Sequence, residues 1–215
     1  MKNIVTAAIL MMAATLSAPA RADVEIDFRG QVGLLHSDRL QPGDENAFRG
    51  LLASPQGRAL RILYLDSRGG ATGVALKIGG MIRARRLDTA FHVGRGTCVS
   101  ACTTVFLGGV HRYYVGGDEV VDGVATHVGL GLHPSHGGAR AEGAINAYYR
   151  NMGAPGTAEL RYQVYSRRQA ESENPNGPED GQGVYKIFFV GGQHALRTGF
   201  VTSLDEPADP RLRDE

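Results

Sequence analysis

Three features of the sequence predict an α/β fold built on a mostly parallel sheet. Short apolar runs alternate with longer amphipathic segments, two successive strand-turn-helix units fall between residues 60 and 109, and the turns in both units carry glycine. Consecutive units of this kind imply parallel strands joined by right-handed crossovers. In such sheets ligands sit at the carboxyl ends of the strands, and both glycine-bearing turns lie at that end.

The chain of 215 residues opens on a segment with the marks of export. Lys2 gives a short basic start, Ile4 to Leu16 is an apolar run too short to span a bilayer comfortably, and Ala20-Arg21-Ala22 fits an A-x-A cleavage site before Asp23. Residues 1–22 are expected to be a removable signal peptide, which implies a periplasmic or secreted protein with no membrane attachment after cleavage. An uncleaved anchor is the alternative. Cleavage removes Lys2 and Arg21 and no acid, so 23 basic residues fall to 21 against 22 acidic ones. A basic surface for nucleic acid is therefore not expected. The remaining length suits one domain with a full core, residues 23–204, and the charge- and proline-rich segment 205–215 is expected to be a disordered tail. The 30 glycines imply many tight turns, and the lack of repeats or a second long apolar run argues against solenoids and multi-pass membrane proteins.

Along the domain, Val24 to Gly30 reads as a strand and Asp44 to Ala53 as a helix. Leu60 to Leu65 is a strand ending at Asp66-Ser67-Arg68-Gly69-Gly70, and Gly73 to Arg86 is an amphipathic helix. A strand over 89–93, a helix over 100–109, a strand over 111–115 and a strand from Val128 to His133 follow, the last stopped by Pro134. Ala139 to Tyr149 and Thr157 to Gln169 read as helices, and Glu171 to Gly183 as a polar loop. Tyr185 to Val190 is a last strand, leading to a short helix at Gln193 to Thr198 and a turn at Gly199.

The stretch Gly96-Thr97-Cys98-Val99-Ser100-Ala101-Cys102 places a serine between two cysteines where an apolar strand hands over to an apolar helix. A serine there meets unpaired backbone N–H groups and the positive end of the helix dipole, which favour a developing oxyanion. An ordinary N-cap serine would occupy the same position.

These residues in order resemble a family. Leu65-Asp66-Ser67-Arg68-Gly69-Gly70 before a helix, Gly96-x-x-x-Ser100-Ala101 before an apolar helix ending Leu107-Gly108-Gly109, and then Leu132-His133-Pro134 look like the proteolytic subunit of Clp protease (ClpP), nearest its exported relatives. The resemblance covers roughly residues 24 to 203 and implies a ClpP/crotonase-like spiral of ββα units. It also implies a serine peptidase that cleaves peptide or protein substrates through an acyl-enzyme, needs no cofactor, and belongs to a fold whose members commonly assemble into homo-oligomeric rings. By position, Ser100 is the nucleophile, Ala101 supplies one oxyanion-hole N–H and Gly70 the other. The Gly70-to-Ser100 spacing fits one helix plus one strand, as two neighbouring parallel strands require. Glycine at 70 is expected because a side chain would keep the backbone from the substrate carbonyl.

His133 is the expected base. It ends a strand, and Gly129 and Gly131 share its face, leaving a shallow floor for substrate. His127 has the same parity but stands roughly 20 Å away along a strand, so only one of the two can serve Ser100. The serine-to-histidine spacing exceeds the family's, with the surplus in Asp118 to Thr126, which leaves open a register with His127 as base. His136 reads as a loop histidine. The family's orienting aspartate aligns with Ile187, which cannot hold an imidazole, so Asp180 or its neighbour Glu179 is the candidate acid. Without either, the site is a Ser-His dyad or an inactive scaffold, and a non-catalytic binding or assembly module is the second reading. A crotonase-type acyl-thioester enzyme is a third, weakened by the export signal.

Cys98 and Cys102 are the chain's two cysteines, and export makes a disulfide bracketing Ser100 the natural expectation. Two buried thiols or a reactive Cys98 are the alternatives. The C-x-x-x-C spacing without further thiols or suitable histidines does not suggest zinc.

Overall fold

The computed structural model describes residues 23–123, 128–133, 138–154 and 187–208. It opens on an antiparallel pair, β1 (Glu25–Arg29) and β2 (Val32–Ser37), turned at Gly30 with φ 66°. The second of these strands has no counterpart in the sequence reading. Helices α1 (Asp44–Ala53) and α2 (Pro55–Ala59) follow, the latter capped by the Ser54 hydroxyl, which accepts a hydrogen bond from the Gly57 N–H.

Strand β3 (Ile62–Ser67) is the trunk of the fold. On one side it pairs in parallel with β2. On the other it forks. Ile62 to Tyr64 pair with β4 (Asp88–His92), which pairs with β6 (Arg112–Val115), while Ser67 pairs with Cys98 of the two-residue strand β5 (Cys98–Val99). Beyond β5 the sheet continues through β7 (Leu130–Leu132), in parallel, to β8 (Phe188–Val190), antiparallel. The sheet is thus mostly parallel, as the alternating pattern predicts, with antiparallel pairs at its two ends.

The fork corrects the setting of Ser100. The sequence assigns the strand over 89–93 as the one that feeds the serine, but that strand joins the β6 branch, and the segment 94–97 turns back toward the trunk to start β5.

Helices α3 (Thr72–Ala84) and α4 (Ala101–Phe106) pack across the sheet, burying Val74, Ala75, Ile78 and Ile82 against Cys102, Val105 and Phe106. Their approach is close: a Cβ at Gly108 would stand 2.7 Å from the Cα of Gly79. Helix α5 (Gly138–Asn151) and helix α6 (Gly192–Arg197) complete the described fold. Buried Arg112 ties the ends together, donating to the carbonyls of Gly109, Met152, Gly199 and Phe200 at 3.0–3.2 Å. Burial, then the neighbouring Arg83, lowers its pKa to about 10.

Of the expected tail, residues 205–208 are described: Pro207 is buried, the other three are exposed, and Glu206 faces Arg95 at 4.0 Å. The helix expected over 157–169, the loop over 171–183 and residues 1–22 lie outside the described residues. Among the described residues no helix is long and apolar enough to cross a membrane.

Candidate active site around Ser100

Ser100 stands at the junction of β5 and α4, at the carboxyl end of a central strand. Its backbone adopts φ 57° and ψ −127°, and among the described residues only Arg86 is another non-glycine residue with positive φ. Such a conformation costs on the order of 1–3 kcal/mol and persists where the surroundings fix it. Here the Ser100 N–H donates to the Gly131 carbonyl at 2.7 Å. The Ser100 carbonyl accepts from the Thr103 N–H at 3.0 Å and from Thr103 Oγ1 at 2.6 Å. The half-buried side chain makes no capping hydrogen bond to α4, although Ser100 occupies the N-cap position. Its Oγ instead lies 2.7 Å from His133 Nε2.

His133 follows the last residue of β7, and β5–β7 pairing carries it to Ser100: Cys98 pairs with Leu130 and Val99 with Gly131. The strand is anchored from beneath by fully buried Tyr114, whose hydroxyl donates to the Val190 carbonyl at 3.0 Å and accepts from the Leu130 N–H at 3.1 Å. Burial pushes the Tyr114 phenol pKa well above its ordinary value of 10.0, so it remains a neutral donor. The expected shallow floor beside His133 is filled. A Cβ at Gly131 would stand 2.5 Å from both Ile187 Cγ2 and Val99 Cγ1, so the glycine makes room for neighbouring side chains, not substrate.

The turn after β3 comes against the elbow from the other side. A Cβ at Gly69, where φ is 91°, would stand 2.6 Å from Ser100 Cβ, 2.7 Å from the Val99 carbonyl oxygen and 2.8 Å from the Ala101 nitrogen. Gly69 therefore makes the close approach to the Ser100 elbow, next to Gly70, from which an approach to the substrate carbonyl is expected. At Gly70, with φ 126°, a side chain would strike the backbone of Leu40, so the reason for glycine there is the Leu40 segment. The N–H groups of Gly70 and Ala101 donate to no partner among the described residues. Both lie in the segments brought together by the Gly69 contact.

Asp66, near the carboxyl end of β3, has a structural role at the site. Its carboxylate accepts from the Thr97 N–H at 2.8 Å and meets His36 Nδ1 at 2.9 Å, so it holds the turn that starts β5. An acid at the end of a strand, just before paired glycines, was the available signal. Cys98 and Cys102 are disulfide-bonded, with Cα atoms 5.2 Å apart and both residues buried. The alternatives of buried thiols or a reactive Cys98 do not apply to the bonded pair.

His111 pairs with Asp88 at 3.0 Å at the amino end of β6, away from Ser100. His127 and His136 lie outside the described residues, as do Glu179 and Asp180. Ile187 is described, and the β7–β8 register places it across from His133, one step beyond the Leu132–Phe188 pair. Among the described residues no cluster of three or more His, Cys, Asp or Glu side chains is arranged to hold a metal.

No family model matches the chain, and no curated protein matches it. Solved structures do. ClpP1 from Listeria monocytogenes aligns over 84% of this chain and 94% of its own at 13% identity, with a TM-score of 0.50. A membrane-bound stomatin-specific protease, 1510-N, aligns over 82% of this chain and 79% of its own at 12% identity and a TM-score of 0.47. A protein described as an enoyl-CoA hydratase/isomerase from Bordetella parapertussis aligns over 90% and 78% at 14% identity, with a TM-score of 0.44. Likeness at these identities is a likeness of fold. The chain therefore has an α/β fold, with a mostly parallel sheet, like that of the Listeria ClpP1.

Proposed function

We propose that the protein is an exported serine hydrolase, acting as a peptidase through an acyl-enzyme on Ser100. The observation that carries this reading is the 2.7 Å approach of Ser100 Oγ to His133 Nε2, made by a serine that forgoes the capping bond its position offers. In the proposed reaction Ser100 Oγ attacks the substrate carbonyl as its proton passes to His133 Nε2. The N–H groups of Gly70 and Ala101 then receive the negative charge that builds on the carbonyl oxygen. The imidazolium returns the proton to the leaving amine, and water, activated by the same imidazole, releases the acyl group.

Asp180 is the proposed residue to orient the imidazole, with Glu179 as its neighbour in that role. The disulfide supports placement in an oxidising compartment, periplasmic or extracellular, after removal of residues 1–22. Assembly with further copies of the chain is part of the same proposal. Hydrolysis of peptide and activated-ester substrates by the mature protein tests the reading. Ser100→Ala and His133→Ala are each expected to abolish turnover, with the double variant no worse than either. Turnover that survives Ser100→Ala would exclude it.

A second reading, a binding or assembly module without catalysis, is favoured by the isoleucine across from His133. It predicts full biological activity of Ser100→Ala in cells.

A further inference from the structure

We infer that the Cys98–Cys102 disulfide is a positioning element for the nucleophile: it closes a ring across Cys98-Val99-Ser100-Ala101-Cys102 and holds Ser100 in the backbone conformation that directs Oγ to His133. The inference rests on the reading of Ser100 as nucleophile.

The elements on either side of Ser100 are short. Strand β5 has two residues and touches the trunk strand β3 through one pair, Ser67 with Cys98, while α4 has six residues. Neither is long enough to hold a sharp junction by its own hydrogen bonds. Yet Ser100, in that junction, keeps a positive φ of 57°, which a residue with a Cβ avoids unless it is constrained from outside. The bonds of Ser100 to Gly131 and Thr103 act on it, and the disulfide completes the constraint. It joins the first residue of β5 to the second of α4 and holds their Cα atoms 5.2 Å apart, where an extended chain of four steps would span roughly 13 Å.

The same hydroxyl has a competing use. An N-cap serine with ordinary extended φ and ψ turns its oxygen back onto the N–H groups of the second or third helical residue, here Cys102 or Thr103. That arrangement satisfies helix donors and removes the backbone strain, but it takes Oγ away from His133. The ring decides between the two uses. With Cys98 and Cys102 both fully buried, the bond is shielded from casual thiol exchange, as suits a permanent part of the site.

Breaking the bond with a dithiol is a balanced two-electron exchange. One thiolate of the dithiol attacks a cysteine sulfur and frees the other cysteine as a thiol. The second dithiol sulfur then closes a cyclic disulfide, leaving two cysteine thiols. The test compares oxidised wild type, Cys98→Ala, Cys102→Ala, the double variant, and wild type produced in a reducing cytoplasm and kept under dithiothreitol. For each, the rate at which a fluorophosphonate modifies Ser100, mapped by mass spectrometry, is measured across pH 5 to 9, with circular dichroism as the check on fold.

Oxidised wild type is expected to react at a rate that rises as an imidazole loses its proton. The four bond-free forms are expected to react about a hundredfold more slowly, the loss that follows from about 1 Å of misplacement. The double variant should lose no more than either single one, and the pH dependence should flatten, because Oγ no longer passes its proton to His133. A defect in packing alone would not flatten the pH profile. Bond-free forms reacting within twofold of wild type overturn the inference while leaving the nucleophile reading intact. So do single losses that add in the double variant. Unfolding of the variants and the reduced wild type alike also overturns it, since the bond is then a staple of the whole fold. No reaction at Ser100 in oxidised wild type removes the reading on which the inference rests.

Discussion

Replacing Gly69 by alanine tests the site through a residue that takes no part in the proposed chemistry. The added Cβ would stand 2.6 Å from Ser100 Cβ, 2.7 Å from the Val99 carbonyl oxygen and 2.8 Å from the Ala101 nitrogen, whereas ordinary contact begins at 3.4 Å. The elbow and the turn must therefore separate by about 0.8 Å. None of the three atoms is the end of a flexible side chain, so the displacement falls on the backbone that carries the proposed nucleophile and the two proposed oxyanion donors. Alanine at φ 91° adds strain of its own. Misplacement on this scale costs about a hundredfold in rate, or about 2.7 kcal/mol of transition-state stabilisation. Second-order rates of fluorophosphonate reaction with Ser100 measure the effect, with thermal unfolding as the control. Gly50→Ala is the matched substitution. It lies inside α1 with nothing within 4 Å of the new Cβ, and should leave the reaction rate unchanged while stabilising the fold by about 0.5–1 kcal/mol. A Gly69→Ala protein that is folded and reacts within threefold of wild type would refute the proposed geometry.

Other substitutions probe the supports. Tyr114→Phe removes a buried hydroxyl that bonds both the Leu130 N–H and the Val190 carbonyl, and denaturant unfolding should record a loss of about 1–3 kcal/mol. Gly131→Ala drives a methyl to 2.5 Å from Ile187 and Val99, and should cost about 1–3 kcal/mol in the same assay while slowing any reaction at Ser100 by moving His133. The carboxyl of Glu45 is held at a pKa of about 2, below its ordinary 4.5, by hydrogen bonds from Lys77 first and then from its own backbone N–H and that of Gly43. A depressed carboxylate stabilises the fold above its unfolded value and loses that contribution as pH falls toward the folded one. Acid titration of stability should therefore show a loss between pH 4.5 and 2 that is smaller in Glu45→Gln.

The outline of the fold was legible where local pattern and capping agree. Helix α1 runs over the residues the sequence predicts, Asp44–Ala53, because acidic residues open its first turn and its apolar positions recur on one face. Strand β2 left a weak signal because Gly33 sits inside it. That glycine answers a tertiary demand: a Cβ there would meet Ile26 Cγ2 at 2.9 Å and Leu60 Cδ1 at 3.0 Å. Strand β5, two residues long, has no period to detect, so the apolar run at 89–93 drew the assignment that belonged to Cys98–Val99.

At the site, the motif around Ser100 and the strand-ending His133 were readable as residues, and the disulfide was expected from two cysteines in a chain read as exported. What brings Ser100 to His133, 33 residues apart, is the pairing of β5 with β7, which has no local signature. Whether the serine caps its helix or faces the histidine depends on its backbone conformation, φ 57° and ψ −127°, which the identity of the residue at 100 does not signal. The close contacts of Gly69 and Gly70 have the same origin, since the atoms each glycine avoids belong to a distant segment.

The most direct measurement is site-mapped covalent labelling of the mature, oxidised protein by a fluorophosphonate. A single adduct on Ser100 is expected, abolished in Ser100→Ala and slowed about a thousandfold or more in His133→Ala, since loss of the base removes most of the serine's activation. An adduct elsewhere, no adduct at all, or labelling of Ser100 unaffected by His133→Ala would contradict that expectation.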